Sequence, residues 1–326
     1  MNEKIKWGII GLGKIAHKFA KDLCLVQECV LEAVASKSLS NAKSFAAAHN
    51  ANKGYGTYQE LLQDSAVDIV YIATTNNTHA SITILALEHK KAVLCEKPFA
   101  INKIQVLNMV RASKQHGVFL MEAMWSRFIP AIRKIKYSID NGDIGEIKYI
   151  HADFSFKVDP SIQRVYDKNL GGGSLLDIGI YPVFLAYLIL GNPAVINASA
   201  HYFESGADSQ LAMMFTYENA HALLFSSFNS SSKRVAKISG TLGEIIIEEP
   251  WNETDSFTLQ KAKDTSIISL PTTGRGYTYE IMECNSCLKN IAIESKLWSH
   301  QNSVELITLL DWVRKEINLT YKEDRE

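Results

Sequence analysis

The sequence predicts an α/β protein with two parts, a first domain built on a parallel sheet and a second built on a large, open, mostly antiparallel sheet. The chain has 326 residues, which at ~150 residues per domain is about two domains. In its first third, short apolar β-type segments alternate with helical patterns, which is typical of βαβ units and a parallel sheet. From residue 194 to 270 it is a succession of short strands with hairpin turns, which indicates an antiparallel sheet.

The composition is that of an ordinary soluble globular protein, and a polyanion partner is not expected. Hydrophobic residues make up 47% of the chain and charged residues 21%, so a sizeable core can form. The 34 basic and 35 acidic residues leave a net charge of -1, which gives no general attraction to nucleic acid or an anionic membrane. The longest uninterrupted apolar segment, 181–190, is about half of the ~20 residues that a membrane-spanning helix needs.

The start of the chain and its cysteines suggest a reduced, cytoplasmic protein. Met1 to Lys4 lacks the basic, apolar and small-residue order of a secretory signal peptide. The five cysteines form an odd set, and their single Cys-x-x-Cys pair, Cys284 and Cys287, has no second pair or histidine cluster to complete a zinc site. We therefore expect free thiols and no metal.

In the first domain the pattern predicts strands over residues 5–10, 30–35, 68–73, 92–96 and 118–122. A helix over 102–117 is the best marked, because Asn102 and Gln105 form a capping-box pair and Gly117 is a C-terminal stop. The pattern changes after Glu122. We therefore predict domains 1–122 and 123–326.

The second domain begins with a helix from Pro130 to the turn at 141–143, a strand over 146–156 and a helix over 175–190. Its strands 210–217 and 221–229 carry apolar residues at both parities of residue number: Leu211, Met213, Phe215, Leu223 and Phe225 at odd numbers, and Met214, Leu224 and Phe228 at even numbers. A sheet that is apolar on both faces needs two covers. Helices can cover one face, and a second copy of the subunit is our hypothesis for the other; the alternative is a loosely alternating sheet with one wet face.

A last helix is predicted over 302–317, capped by Asn302 and Glu305. It has one apolar stripe and can pack on either domain, the first included.

Gly11, Gly13 and Ala16 have the Gly-x-Gly-x-x-Gly/Ala spacing directly after a strand and at the start of a helix. Gly11 suits the tight turn and Gly13 the close approach of a pyrophosphate to the amide groups at the helix start. Lys14 and Ile15, which open that helix, are assigned to the same site. The motif predicts that residues 1–122 form a dinucleotide-binding (Rossmann) domain, the alternative being an accidental glycine turn.

The end of the second strand favours NADP over NAD. Where an NAD enzyme usually has an acidic residue for the ribose hydroxyls, this chain has Ser36 and Lys37. Ser36 can hydrogen-bond a 2'-phosphate and Lys37 can offset its charge. The alternative is that Lys37 is a solvated surface lysine.

The fifth strand ends in Glu96-Lys97-Pro98, at the carboxyl edge of the sheet, where ligands bind in open α/β folds. With the glycine motif and the segment 74–79, it resembles the glucose-fructose oxidoreductase/inositol dehydrogenase (Gfo/Idh/MocA) family over nearly the whole chain. The resemblance implies a Rossmann domain followed by an α/β domain with an open antiparallel sheet. It implies these further cofactor-binding residues: Thr74, Asn76, His79, Glu96 and Lys97. The family usually has proline where this chain has Thr75.

Segments 121–128 and 170–182 are similar to the branch of that family with dimeric dihydrodiol dehydrogenases and NADP-dependent D-xylose dehydrogenases. That resemblance implies that Trp125 and Arg127 contact the cofactor and that Trp125 and Phe154 form apolar walls of a substrate pocket; either ring could equally be core. Tyr181 stands where many family members have histidine.

The residues also suggest a mechanism. Removal of a hydride from a carbinol carbon requires a base for the hydroxyl proton. A tyrosine with its ordinary pKa of ~10 is a poor base at neutral pH, but a close ammonium such as that of Lys97 can lower the pKa. The resemblance assigns this role to Tyr181 and Lys97. Asp177, four residues before Tyr181, can face the same cleft and orient Lys97 or a substrate hydroxyl.

Each of these three residues also has a structural interpretation: a salt-bridge lysine, a core tyrosine and a helix N-terminal charge. The motifs favour the functional one. We expect an NADP-dependent oxidoreductase acting on a sugar or cyclic diol hydroxyl, with Arg164 and Tyr166 of the loop 157–169 contacting the polyol. The alternative is a non-catalytic NADP-binding sensor or regulatory protein of the same fold.

Overall fold

A computed structural model of the protein describes residues 4–262 and 264–325; the expectation for Met1–Glu3 lies outside them. The described chain forms two compact units. Unit 1 comprises the residues up to Ala100 together with Ile104–Phe128 and Thr273–Val304, and unit 2 comprises Ile101–Lys103, Ile129–Thr272 and the residues from Glu305 onward.

These units differ from the contiguous domains 1–122 and 123–326 that we predicted. Residues 273–304 return to unit 1, and the C-terminal helix is divided between the units after Val304. One physical reason is a long-range contact within unit 1. The buried carboxylate of Asp22 accepts the backbone N–H groups of Arg275 and Tyr277 at 2.9–3.1 Å.

The sheet of unit 1 has six strands. Labelled in chain order, they are β1 (Ile5–Ile10), β2 (Cys29–Ala35), β3 (Lys53–Tyr55), β4 (Ile69–Ile72), β5 (Ala92–Glu96) and β6 (Leu120–Ala123). All pairs are parallel, in the order β3-β2-β1-β4-β5-β6. The five predicted strands are confirmed to within two residues, and only β3 was missed. The strand order reverses between β1 and β4, which is where ligands bind in doubly wound sheets.

Six helices accompany this sheet: α1 (Lys14–Leu23), α2 (Leu39–His49), α3 (Tyr58–Gln63), α4 (His79–Glu88), α5 (Lys103–His116) and, from the end of the chain, α9 (Tyr277–Lys289). The predicted helix 102–117 is confirmed as α5, with Gly117 at φ +63° after its last residue. Apart from the half-buried edge strand β3, the strands are buried on both faces, as a parallel sheet between helices requires; Trp7, Ile9 and Tyr71 are fully buried.

The sheet of unit 2 has eight strands: β7 (Ile147–Ser155), β8 (Val195–Tyr202), β9 (Asp208–Thr216), β10 (His221–Ser227), β11 (Ala236–Gly240), β12 (Gly243–Ile247), β13 (Ser256–Lys261) and β14 (Asp264–Ser269). Their order is β14-β13-β12-β11-β7-β10-β9-β8. Neighbours are antiparallel except β7 and β10, which are parallel. The predicted fold class, a parallel sheet followed by a mostly antiparallel one, is confirmed.

The helices of unit 2 are α6 (Pro130–Asp140), the short α7 (Gln163–Tyr166) and α8 (Ile180–Leu190), and α10 (His300–Glu316) enters it after Val304. Just before α8, residues Leu175–Gly179 form a π-helical turn, so the predicted helix 175–190 is present but does not begin as an α-helix. Lys168–Leu190 as a whole is long and apolar enough to cross a membrane by length and composition, but 78% of its most apolar part is buried in the protein. The core helix of a globular domain has the same properties.

The strand register changes our assignment of the sheet faces. Leu224 pairs with Met213 and Leu223 with Met214, so Leu224 shares the buried face of Leu211, Met213 and Phe215, and Leu223 shares the opposite face with Met214. On that opposite face Met214 is 38% and Leu223 42% exposed. Residue-number parity had grouped Leu223 with Leu211, Met213 and Phe215, because parity carries no information about which residues oppose each other across a turn.

The predicted cap of the last helix is wrong. The helix begins at His300, and Ser299 and Asn302 bond reciprocally: Ser299 Oγ accepts the Asn302 N–H at 3.3 Å, and Asn302 Oδ1 accepts the Ser299 N–H at 2.9 Å. Glu305 instead accepts a hydrogen bond from the phenol of Tyr187. Asn302 therefore acts from the first turn, with serine as the capping residue.

Candidate cofactor and active site

The glycine turn after β1 fits a dinucleotide. Gly11 has φ +89°, and a Cβ there would lie 2.6 Å from the carbonyl oxygen of Ala73, so only glycine fits. A Cβ at Gly13 would meet no atom within 4 Å. Gly13 precedes α1 without any side-chain cap. The first N–H groups of this helix, which have no partner within the helix, thus face open space that a pyrophosphate can occupy.

Lys14 and Ile15 form the first two residues of α1. Lys14 is exposed, Ile15 is partly buried and Ala16 is fully buried. The small side chain of Ala16 lets the helix pack closely, as the motif requires. The structure therefore brings the predicted pyrophosphate-binding residues together in one turn.

At the end of β2, Ser36 and Lys37 stand next to the start of α2. Ser36 Oγ accepts the Ser38 N–H at 3.2 Å, so its own hydroxyl proton is left to donate. Ser38 caps α2 by accepting the Asn41 N–H. Lys37 is exposed. No carboxylate lies in this turn, and the pair offers a donor and a cation.

The loop between β4 and α4 is held by side-chain hydrogen bonds. Thr75 Oγ1 donates to Asn77 Oδ1 at 2.7 Å, and Thr78 Oγ1 lies 2.8 Å from both Thr74 Oγ1 and the Thr75 carbonyl oxygen. These contacts order the loop without the proline that the family usually has at residue 75. Asn76 is buried at the start of a 3₁₀ turn.

His79 links this loop to the one after β5. Its ring is buried, with Nδ1 2.8 Å from the carbonyl oxygen of Pro98 and Nε2 3.3 Å from that of Thr74. A carbonyl oxygen only accepts, so the ring nitrogen that carries the proton donates to the oxygen it faces. The imidazole thus ties together two loops at the carboxyl edge of the sheet.

Glu96 and Lys97 end β5. The phenol of Tyr71 donates to Glu96 Oε1, and Glu96 Oε2 accepts the Lys97 N–H at 3.2 Å. Burial, followed by the charge of Glu96, raises the pKa of Tyr71 well above its ordinary value, so Tyr71 stays neutral as a donor. Lys97 is partly exposed. The buried carboxylate fixes the backbone from which Lys97 projects.

Trp125 and Arg127 lie in a 3₁₀ turn that follows β6. Trp125 is 4% exposed, and its ring centroid is 4.7 Å from that of Tyr277 on α9. Tyr277 was not predicted as a site residue, since its segment is more than a hundred residues downstream and its pattern is that of an ordinary helix.

Two buried glutamates nearby were also missed. Glu122 accepts the Phe99 N–H at 3.2 Å and the Trp298 indole N–H at 3.1 Å, and burial raises its pKa to about 7. Neither carboxyl oxygen of Glu280, which is fully buried, has a hydrogen-bond partner within residues 4–262 and 264–325. Burial, then the charges of Glu96 and Asp22, raises the pKa of Glu280. No sequence pattern signals a buried, unpaired acid.

In unit 2, Phe154 and Tyr181 are brought together. Phe154 on β7 and Tyr181 near the start of α8 have ring centroids 5.1 Å apart, and they are 7% and 6% exposed. The guanidinium of Arg234 lies 5.7 Å from the centroid of Phe154 on the same unit. The expectation that Phe154 walls the site of Tyr181 has a geometric basis here.

Asp177 has a partner that the sequence did not reveal. Arg164 on α7 makes a bidentate pair with it, Nη1 to Oδ1 at 3.1 Å and Nη2 to Oδ2 at 3.2 Å. Because Asp177 lies in the π-helical turn, the predicted α-helical spacing to Tyr181 needs correcting: the turn between them is wider. π-helical turns are frequent at functional sites.

Tyr166, the last residue of α7, packs its ring 4.6 Å from that of Phe203. Its hydroxyl lies 3.5 Å from the Val158 carbonyl oxygen.

The predicted site residues form two sets. Those for the cofactor, with Lys97, belong to unit 1, and Phe154, Arg164, Tyr166, Asp177 and Tyr181 belong to unit 2.

Within the described part of the chain, no group of three or more histidine, cysteine, aspartate or glutamate side chains could hold a metal ion. All five cysteines are free, and four of them are buried.

Comparison with known proteins connects both units to one family. The profile described as "Oxidoreductase family, NAD-binding Rossmann fold" matches residues 5–124, and that of the GFO/IDH/MocA C-terminal domain matches residues 132–246. The trans-1,2-dihydrobenzene-1,2-diol dehydrogenases of Sus scrofa and Mus musculus are 33% and 34% identical, each over 98% of this chain and 99% of the relative.

Solved structures share the fold at lower identity. A 3-ketoreductase from Actinomadura kijaniata in complex with NADP and TDP-benzene has a TM-score of 0.86 at 24% identity. The aldose-aldose oxidoreductase from Caulobacter crescentus has a TM-score of 0.89 at 21% identity. Each match covers 97% of this chain and 98% of the other. The resemblance drawn from the motifs is confirmed, and the chain belongs to the Gfo/Idh/MocA oxidoreductase family as an NAD(P)-dependent dehydrogenase.

Proposed function

We propose that the protein is an NADP-dependent oxidoreductase that oxidises a hydroxyl of a sugar or cyclic diol, or runs the reverse reduction. The observation that carries this proposal is the surroundings of Tyr181: its nearly buried phenol packs on Phe154, and Asp177 lies in the π-helical turn directly before its helix. Full-length relatives named as diol dehydrogenases support the substrate class.

The cofactor fits the turn after β1. When bound, the nicotinamide dinucleotide supplies the hydride-transfer chemistry of the reaction. Gly11, Gly13 and the open N-terminus of α1 would hold its pyrophosphate, since glycine at both positions leaves the amide groups accessible. Ser36 and Lys37 would hold a 2'-phosphate. A carboxylate in that turn would repel the phosphate, and the turn has none.

Tyr181 would take the hydroxyl proton in oxidation and return it in reduction. Its ordinary pKa of ~10 must fall by roughly 2 to 3 units for this, which corresponds to about 3 to 4 kcal/mol of preferential stabilisation of the phenolate. We assign that stabilisation to the ammonium of Lys97, because opposite charges attract most strongly where water is excluded. Glu96 Oε2 accepts the Lys97 N–H, and in this account that bond holds the backbone from which the ammonium is presented.

Asp177 and Arg164 would form the polar side of the substrate site. Asp177 is 13% exposed and Arg164 49% exposed at the side chain. The carboxylate can accept from one polyol hydroxyl, and the guanidinium can donate to another. Phe154 and Trp125 would supply apolar surface against the ring of the substrate, and Tyr166 would border it from α7.

The quaternary state we propose is a homodimer through the open face of the unit 2 sheet. On that face Met214 of β9 pairs with Leu223 of β10, and each side chain is more than a third exposed. With His151, Ala212 and Phe225 they line a shallow depression of about 530 Å³. Light scattering at micromolar concentration is expected to give the mass of two chains and, for Leu223→Arg, the mass of one. A wild-type monomer would remove the dimer and leave a wet sheet face.

We further propose that the protein works in the cytoplasm with its five cysteines reduced, which agrees with five free thiols.

The proposed activity is tested by following NADPH absorbance at 340 nm with a panel of aldoses and trans-diols. Turnover with NADP is the expected result. Tight NADP binding without turnover of any compound would instead indicate the non-catalytic sensor.

A further inference from the structure

The π-helical turn of Asp177, which leads into the helix of Tyr181, begins after a glycine-rich segment held by one buried carboxylate. Asp208, the first residue of β9, has a relative exposure of 0%. Its Oδ2 accepts the N–H of Leu175, the first residue of the π-helical turn, at 2.6 Å. Its Oδ1 has no hydrogen-bond partner in the described chain.

Oδ1 lies against Gly173. A Cβ at Gly173, which has φ +126°, would lie 2.1 Å from Asp208 Oδ1, so the turn and the carboxylate fit only with glycine there. The preceding carbonyl is fixed as well, because Tyr321 donates its phenolic proton to the Gly172 oxygen at 2.9 Å. The backbone that leads into the helix is therefore held by contacts at Gly172, Gly173 and Leu175.

The next strand adds a second anchor. Ser174 Oγ donates to Ser226 Oγ of β10 at 2.8 Å, with both residues buried. A Cβ at Gly179 would lie 2.9 Å from the same Ser226 oxygen. Two neighbouring strands thus hold the beginning of the π-helical turn by hydrogen bonds, and β10 also packs closely against its end at Gly179.

We infer that Asp208 is a positioning residue of the reaction: through Leu175 it sets the start of the π-helical turn, and with it the places of Asp177 and Tyr181. This inference rests on the proposed role of Tyr181. A carboxylate suits the position because the first N–H groups of a helix and its dipole favour negative charge.

The burial of Asp208 opposes its ionisation. Burial raises the pKa of Asp208 to about 6, against the lowering effect of backbone N–H groups, Leu175 first. The titratable groups that face it are Tyr202 of β8 and Tyr321 near the C-terminus, and burial raises the pKa of both, so they stay neutral. A buried acid with a raised pKa lowers stability at neutral pH. Its presence is therefore better explained by what it positions than by stability.

The test uses Asp208→Asn in the full-length protein, because the amide keeps the shape and one acceptor for Leu175 but removes the charge. We expect kcat to fall at least about tenfold at pH 8, with the KM for NADP within about twofold of wild type. Below pH 6 the ratio of wild-type to variant kcat should approach one, because wild-type Asp208 is then protonated too. Asp64→Asn is the matched control: Asp64 also accepts a backbone N–H, from Ala66, but in unit 1, and kcat should stay within twofold.

Amide hydrogen exchange of residues 174–181 provides a readout that needs no turnover. Faster exchange in Asp208→Asn is expected, and a smaller increase in Ser226→Ala, which removes only the second anchor. Wild-type exchange and wild-type kcat in Asp208→Asn would overturn the inference, as would a ratio of kcat values independent of pH. If wild type shows no turnover at all, the proposed function fails, and exchange alone then decides whether Asp208 anchors the turn.

Discussion

The ring of Phe154 lies against the ring of Tyr181, with centroids 5.1 Å apart and planes inclined at 43°. An apolar ring at this distance excludes water from one side of the phenol. That exclusion raises the free energy of a phenolate, and it also strengthens the effect of any nearby ammonium. In the mechanism we propose, the contact makes a phenolate at Tyr181 dependent on a cationic partner.

Replacing the aromatic ring of Phe154 with an aliphatic side chain should weaken catalysis. For Phe154→Leu we expect kcat/KM for the alcohol to fall about tenfold, because water reaches the phenol and an apolar wall of the substrate site is lost. NADP affinity should not change. The control is Phe156→Leu, because the Phe156 ring packs on Phe154 and Phe228. Equal losses in both variants would contradict a specific role for the contact.

The choice between cofactors should depend on the turn after β2. Ser36→Asp places a carboxylate where the 2'-phosphate would bind, and we expect the KM for NADP to rise at least about tenfold while that for NAD falls. Steady-state kinetics with both cofactors measures this. Lys43→Ala, at an exposed lysine of α2, is the control and should change neither. Equal efficiency of wild type with NADP and NAD would remove the preference.

Glu122 should make stability depend on pH. Burial raises its pKa from 4.5 to about 7, so folding takes up a proton between these values, and the contribution of Glu122 to stability is lost as pH rises through about 7. The largest possible effect is about 3 kcal/mol. Thermal unfolding from pH 5 to 8 should show a shallower decline in Tm for Glu122→Gln than for wild type. Glu88→Gln, at an exposed acid, should keep the wild-type slope; parallel slopes in all three proteins would contradict the assignment.

Replacing Glu280 with an apolar residue should stabilise the protein. Its two carboxyl oxygens have no partner among the described residues, so an apolar side chain avoids the free energy of burying an unsatisfied acid, about 1 to 3 kcal/mol. We expect Glu280→Leu to raise Tm by a few degrees at pH 8 with NADP binding retained. Calorimetry with and without NADP checks both. A lower Tm would mean that the carboxyl has a stabilising partner.

The sequence predicted what depends on short-range pattern. The glycine turn at Gly11 and Gly13 needs only a strand before it and a helix after it, so spacing was sufficient, and helix α5 was bounded by Gly117. The three-residue strand β3 was missed because half-buried Lys53–Tyr55 has no apolar run. The π-helical turn was missed because residues 175–190, apart from Asp177, are nearly continuously apolar and show no period that distinguishes a π-helical from an α-helical turn.

Long-range contacts account for the other differences. Arg164 pairs with Asp177 across 13 positions, and Asp22 holds Arg275 across 253. Neither pairing leaves a trace in local periodicity, since each residue by itself is an ordinary surface charge in the sequence. Asp208 belongs to the same class: a lone acid before a strand, whose burial only the structure shows.

The most direct test of the account is single-turnover and steady-state kinetics of Tyr181→Phe and Lys97→Met, with NADP affinity measured on the same preparations. Proton transfer by a positioned side chain contributes about 10²- to 10⁴-fold, so kcat in each variant should fall by orders of magnitude while the Kd for NADP stays within a few-fold. Near-normal turnover in either variant, with NADP bound, would contradict the assignment of the phenol as the proton acceptor and of the amine as its partner.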